Sequence, residues 1–244
     1  MDRVIYTAMS GAKATLARQD TLANNLANAS TDGFRADLTA FRAVPIQGAG
    51  TPTRVHALEV TAGFDPAAGP LVRTGRALDV ALAGPGWLAV QGLDGNEAYT
   101  RAGGLETSAD GTLQTRSGLP VVGDGGPIVV PQGAEVLIGA DGTVSAKQGN
   151  TPPTPLGQIK LVNPGPGELR KSGDGLFRTV SGDPLAADPA LRLTSGALEG
   201  SNVNPVEAMI QMIAASRQFE TQMKLLQTAE GNEQRATRLL SVSG

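Results

Sequence analysis

Apolar residues near the N-terminus recur every three or four positions. Ile5, Met9, Ala12, Leu16, Gln19, Ala23 and Leu26 follow the alternating spacing of a heptad seam, the pattern of a helix that lays one stripe against a partner helix. Val4, Ala8, Thr15 and Leu22 widen the stripe, and small residues at 8, 12 and 23 permit close helix approach. Proline is absent between Asp2 and Asn28, and Gly11 is the sole glycine there. The polar run from Asn28 to Gly33 is where this helix should end.

The C-terminal end carries a second stripe. Val206, Met209, Ile210, Ile213, Phe219, Met223 and Leu226 share a face at helical spacing. Pro205 suits a first helical turn, and Asn202 or Asn204 is placed to cap it. One helix from Val206 to Leu240 would span about 50 Å at about 1.5 Å per residue, too long to lie on a small β domain without overhang. Beyond Leu226 the stripe weakens, and Arg217, Glu220 and Lys224 read as a solvated, ion-paired face.

Between these ends the pattern changes. All but four of the 32 glycines and all but one of the 16 prolines lie within residues 44–200, whereas every methionine lies outside that block. Asp-Gly recurs at 94–95, 110–111, 124–125, 141–142 and 174–175, between short apolar runs such as Trp87–Val90, Val136–Ile138 and Phe177–Val180. Such pairs mark hairpin turns, so the middle predicts an antiparallel all-β domain. Leu78, Val80 and Leu82 alternate as in a half-buried strand. Thr107–Leu113 and Ile138–Val144 look like two uses of one hairpin. Gln47–Gly69 and Thr151–Pro155 read as loops.

The two stripes admit two readings. Each helix lies on the core of its own domain, or each pairs with helices of other chains in a coiled-coil-like interface. An isolated helix is marginal in water, and each large apolar side chain gains about 1.5–3 kcal/mol on burial. The second reading therefore expects the ends to stay frayed until partners arrive. Met suits non-identical partners because its thioether adapts.

Composition removes several classes of function. A net charge of −3 offers nothing for phosphate neutralisation, so no nucleic acid is expected as a partner. Without cysteine there are no disulfides and no thiolate metal sites. The sole histidine, His56, has no ligand or nucleophile in register with it. Gly84-Pro-Gly86 and Gly165-Pro-Gly167 do not complete a nucleotide loop, and the Asp-Gly turns lack calcium-loop spacing. No catalytic residue, cofactor or metal ligand is expected. No stretch approaches the length of a membrane span, and the charged and amide residues of 1–28 interrupt any secretory h-region.

Three stretches carry a resemblance. Ala-Asn-Asn-Leu-Ala-Asn-Ala-Ser-Thr-Asp-Gly-Phe-Arg at 23–35 resembles the N-terminal signature of bacterial flagellar rod and hook proteins. Thr74–Leu82 and Tyr99–Gly103 resemble core motifs of their β domain. Residues 196–213 with Arg217-Gln-Phe-Glu220 resemble the C-terminal signature. The likeness covers the chain in order and, within the family, leans to the proximal rod, with the distal rod as the alternative. It implies a structural subunit of the basal-body rod that transmits torque across the periplasm, exported through the flagellar type III apparatus without a cleaved signal. Its implied partners are other rod proteins, copies of itself and that apparatus. Asn24, Asn25 and Asn28 would then bond neighbouring backbones, unless they serve only capping and turns.

The expected fold is therefore α+β: N- and C-terminal helices forming a coiled-coil-like helical domain, with an antiparallel all-β domain between them. The expected boundaries are 1–32 for the first helix, 33–75 for a connecting segment, 76–198 for the β domain and 199–244 for the last helix. The expected subunit-interface residues are Ile5, Met9, Ala12, Leu16, Leu22, Asn24, Asn25, Leu26, Asn28, Asn202, Asn204, Val206, Met209, Ile210, Ile213, Phe219, Met223 and Leu226. The competing class is a secreted β-rich carbohydrate-binding or carbohydrate-active domain with helical arms. Because His56 stands alone, a His56→Ala variant is expected to swim as the parent does in soft agar at matched protein level; lost motility would give the imidazole a role.

Overall fold

The computed structural model describes residues 2–45 and 55–242. Helix α1 spans Asp2–Ala27 and helix α2 spans Pro205–Val242. Strands β1 (Asp37–Pro45) and β2 (Val55–Phe64) pair with each other alone. The chain divides into a helical unit, comprising Met1–Ala29, Asp37–Gly63 and Val203–Gly244, and a β unit, comprising Ser30–Ala36 and Phe64–Asn202. The architecture is α+β, with two helices and a middle of antiparallel sheets. The segment expected as a loop at Gln47–Gly69 instead contains β2. Val55, Val60 and Thr61 are β-branched, and the flanking glycines and prolines hid that signal. Residues 47–54 of that segment, and the side chain of His56, lie outside the described structure.

The β unit is built from short antiparallel pairs. Its largest sheet runs in the order Leu161–Val162, Trp87–Gln91, Glu97–Thr100, Phe177–Thr179, Leu169–Lys171. A second sheet joins Glu135–Ile138, Thr143–Lys147 and Thr154–Gln158; the last of these begins inside the stretch read as a loop at Thr151–Pro155. The inward residues of the second sheet alternate as a one-sided sheet requires, with Val136, Ile138, Val144 and Ala146 buried. Val80–Leu82 departs from that rule. All three residues are buried, and so is Asp79, so this strand is covered on both faces. The core is aliphatic around Val80, Leu88, Leu105, Leu113, Val121, Val144 and Ile159. A smaller aromatic cluster gathers Trp87, Tyr99 and Phe177, with Phe64 packed edge-on to both Trp87 and Phe177.

Four of the Asp-Gly pairs form one kind of turn. In each, the backbone N–H two residues before the aspartate bonds across to the residue following the glycine, and the glycine N–H closes back. The bonds are Gly92 to Asn96 with Gly95 to Gly92, Ser108 to Thr112 with Gly111 to Ser108, Gly139 to Thr143 with Gly142 to Gly139, and Ser172 to Leu176 with Gly175 to Ser172. Each glycine sits at φ between 80° and 88°, a conformation that costs a side-chain-bearing residue free energy. At 124–125 the positive φ falls one residue later, on Gly126.

A buried charge cluster ties remote segments of the β unit together. Glu199 Oε1 accepts from Arg35 Nη2 at 2.5 Å and from the Gly69 N–H at 3.0 Å; Oε2 accepts from Arg101 Nη1 at 2.9 Å. The Glu199 carbonyl accepts from the Gly33 N–H at 2.7 Å. Arg35, Glu199 and Arg101 are 1%, 2% and 6% exposed. Arg101 also donates to the Gly84 carbonyl and lies 5.6 Å over the Trp87 ring. Burial pulls the Arg101 pKa down, and the adjacent Glu199 carboxylate opposes that pull. Two glycines allow the approach: a Cβ on Gly33 would fall 2.2 Å from the Arg101 carbonyl carbon, and one on Gly103 would fall 1.7 Å from the Val80 oxygen.

Removing the carboxylate would strand two buried guanidinium groups, a change that typically costs about 3–5 kcal/mol. Glu199→Ala is therefore expected to melt the β unit at a markedly lower temperature, followed through the near-ultraviolet signal of Trp87. An unchanged midpoint would show that the cluster contributes little.

Candidate assembly interface

Within the helical unit α1 and α2 pack along one another. Gly11 faces Gln222, whose side-chain atoms would lie 3.2 Å from an added Cβ. At the other end Asn202 donates its N–H to the Phe34 carbonyl, so α1 arrives where α2 departs and the helices run antiparallel. On α1 the face turned to α2 is Ala8, Ala12, Thr15 and Leu22, all buried, with Gln19 and Leu26 half-buried. On α2 the matching face is Ala208 and Ala215, buried, with Met212, Phe219, Gln222, Leu226 and Ala229 half-buried. Both sets follow heptad spacing, and the small residues bring the helix axes close. Thr15 satisfies its buried hydroxyl on the Gly11 carbonyl at 2.9 Å.

This pairing relocates the seam. On α1 it uses Ala12, Gln19 and Leu26 of the heptad seam, but it is centred one residue earlier than the spacing from Ile5 suggests. Met9 and Leu16 therefore stay 55% and 44% exposed, with Ile5 half-buried and Ala23 exposed. On α2 the expected stripe splits. Phe219 and Leu226 turn inward, while Val206, Met209, Ile210, Ile213 and Met223 remain exposed. The ends are thus formed helices within the single chain, where fraying was expected. The reason is legible afterwards: residues 208, 212, 215, 219, 222, 226 and 229 repeat at heptad spacing, but Ala and Gln at several of them give a weak apolar signal. Tyr6, 61% exposed, and Leu38 and Phe41 of β1 add further uncovered apolar surface that the spacing analysis passed over.

The asparagines divide by role. Asn25 is buried and pairs reciprocally with the backbone of Asp37, donating Nδ2–H to its carbonyl at 3.0 Å and accepting its N–H at 2.8 Å. It fastens β1 to α1, as does Arg18 over the Phe41 ring at 5.8 Å. Asn28 donates to the Asn24 carbonyl at 2.9 Å and closes the last turn of α1, beside exposed Asn24. Asn204 is the cap of α2, its Oδ1 accepting from the Val206 and Glu207 N–H groups. Asn202 instead bridges the β unit, accepting from the Ala36 N–H and donating to the Asp65 and Ala67 carbonyls. Among the described residues no cluster of three His, Asp or Glu could hold a metal, and no helix is long and apolar enough to cross a membrane.

Comparison with known proteins gives this surface a setting. Residues 5–35 match the family "Flagella basal body rod protein", residues 81–146 "Flagellar hook protein FlgE/F/G D1 domain" and residues 194–239 "Flagellar basal body rod FlgEFG protein C-terminal". The chain is 51% identical over 252 residues to the flagellar basal-body rod protein FlgF of Salmonella typhimurium, with 100% of both chains covered. It is 50% identical to FlgF of Escherichia coli over the same length and coverage. To the flagellar basal-body rod protein FlgG of Buchnera aphidicola it is 32% identical over 258 residues, covering 96% of this chain and 98% of that one. The chain belongs to the family of flagellar basal-body rod proteins. It is a structural rod subunit of the flagellar basal body, not an enzyme, and about half of its residues are identical to those of FlgF from Salmonella typhimurium and Escherichia coli.

Asn25→Ala would leave the Asp37 N–H and carbonyl without this partner, at a cost of about 1–3 kcal/mol. The expected outcome is faster hydrogen exchange across β1 with unchanged protection in the sheet of the β unit. Equal loss in both units would contradict the local role of Asn25.

Proposed function

We propose that this chain is a subunit of the proximal segment of the rod and carries torque along the periplasmic shaft. Its helix pair joins those of other rod proteins and of its own copies in a coiled-coil-like layer. It reaches that place through the flagellar type III export apparatus. Support comes from the full-length likeness to proteins named FlgF and from the surface left after the helices have paired. Met9, Leu16, Val206, Met209, Ile210 and Ile213 are each 44–65% exposed. That is the observation that carries the reading, because a monomer has no use for so much uncovered apolar side chain on two helices. Burying each gains about 1.5–3 kcal/mol. Ala12, Leu22, Leu26, Phe219 and Leu226 hold the pair together, while the exposed set meets neighbours, with Ile5 and Met223 at its margins.

Leu16 and Leu22 separate these roles. Leu16→Asp changes a residue that already meets water, so monomer stability should move by less than about 0.5 kcal/mol, while rod assembly and motility fail. Leu22→Asp places an unpaired charge between α1 and α2, so the helical unit itself should lose several kcal/mol. Thermal unfolding followed by far-ultraviolet circular dichroism, together with swimming assays, checks both. A motile Leu16→Asp strain would remove the support for this surface.

A further inference from the structure

Every exposed methionine among the described residues lies on one side of the helix pair. Met9 is 55% exposed, Met209 51% and Met223 39%, whereas Met212 is half-buried in the seam. An antiparallel pair is related by an approximate two-fold axis normal to the plane of its helices. The position one residue after an inward position therefore falls on the same side of the pair in both helices, about 100° round from the seam. Met9 follows Ala8, Met209 follows Ala208 and Met223 follows Gln222. Leu16 and Ile213 follow Thr15 and Met212 and share this side. The opposite side belongs to β1: Arg18 and Asn25, each one residue before an inward position, contact Phe41 and Asp37. Exposed Leu225 precedes Leu226 and turns to that side, and exposed Tyr6 lies at the back of α1. Since Gly11 faces Gln222, Met9 stands level with Lys224 and beside Met223, while Met209 lies about 21 Å further along α2. Cysteine, the usual first target of an oxidant, is absent, no methionine stands in the β unit, and the indole of Trp87 is buried.

We propose that this side is an oxidation-sensitive site: hydrogen peroxide converts Met9, Met209 and Met223 to sulfoxides in a subunit that has yet to join the rod, and the modified subunit is kept out until they are reduced. This rests on the rod-subunit reading above and adds a control on entry. In each step the thioether sulfur donates a lone pair to one peroxide oxygen. An S–O bond forms, the O–O bond breaks, and the displaced hydroxide takes the remaining proton and leaves as water. A methionine sulfoxide reductase reverses the change, a dithiol giving up two electrons and two protons to yield the thioether, a disulfide and water. The sulfoxide oxygen is a strong hydrogen-bond acceptor, so a face that packs through adaptable thioethers would have to bury unpartnered S–O groups. Met9 and Met223 stand side by side, so one level of the pair carries two of them. Docking covers the same side chains, so the sensitivity belongs to the free subunit.

The purified chain, treated with dilute hydrogen peroxide and mapped by peptide mass spectrometry, tests the site. Met9, Met209 and Met223 are expected to gain oxygen several-fold faster than Met212, and equal rates at all four would overturn the proposal. Cells in which the chain is induced during a peroxide pulse test the exclusion, after separation of basal bodies from unassembled chain. The sulfoxide fraction at the three positions is expected to be about tenfold lower in basal bodies than in the free pool; equal fractions would overturn the proposal. A Met9→Leu, Met209→Leu, Met223→Leu triple variant keeps the apolar bulk but cannot take up oxygen. Co-expressed with the parent, it is expected to gain on the parent in basal bodies when peroxide is pulsed. The shift in their ratio is read, not the ratio itself, and no shift would overturn the proposal. Absence of the parent chain from basal bodies without peroxide would instead remove the rod-subunit reading.

Discussion

The carboxylate of Glu199 is the point on which the β unit depends. It is almost fully buried and serves two guanidinium groups and a backbone N–H drawn from segments that lie far apart in the chain. Taking three charges out of water is costly, and it is sustained only while each donor keeps its geometry. The demand propagates outward. Arg35 must enter from the short segment after α1, which requires the close passage of Gly33 over the backbone at Arg101; Gly103, two residues on, must press against Val80. The rod-family stretches Asp32-Gly-Phe-Arg35 and Tyr99-Thr-Arg-Ala-Gly103 thus have one physical explanation, because they are two sides of the same contact.

Much of this was legible in the residues and some was not. Helices at both ends and an antiparallel middle follow from where glycine and proline stand, and the Asp-Gly pairs located five hairpins. The heptad spacing identified stripes without saying which half each stripe would bury at home. A stripe wider than one seam has two edges, and which edge faces α2 depends on the partner surface. Four of the seven positions of that surface on α2 are alanine or glutamine, residues too weakly apolar to announce a core. Asn202 and Asn204 show the same limit: two residues apart and chemically alike, one caps α2 and the other bridges backbone in the β unit, because only the fold determines which carbonyls are near. The charge cluster was invisible to spacing altogether, since Arg35, Arg101 and Glu199 share no local pattern.

The helix pair combines satisfied and unsatisfied surfaces on the same two elements. Inward positions mix small and polar residues with Leu22, Leu26, Met212, Phe219 and Leu226, whereas Met9, Leu16, Val206, Met209, Ile210 and Ile213 lie outside. A self-sufficient helical hairpin would spend more of its large residues on the internal seam. Thr15, Gln19 and Gln222 add polar groups to the inner seam, which favours one alignment of the helices over sliding alternatives. The fit between α1 and α2 therefore sets the level at which each outer patch is presented.

The strand order of the β unit has a consequence in time. Val80–Leu82 pairs with Leu193–Ser195, and Leu71–Arg73 pairs with Ala197–Glu199. The first partner of each pair is made more than a hundred residues before the second. Contacts so distant in sequence carry a large loop-closure cost and form late. A chain emerging N-terminus first, from a ribosome or a narrow conduit, holds most of its β sequence before it can close these ladders. The last strands thus act as a clasp, and the unit stays pliable until nearly the whole polypeptide has appeared.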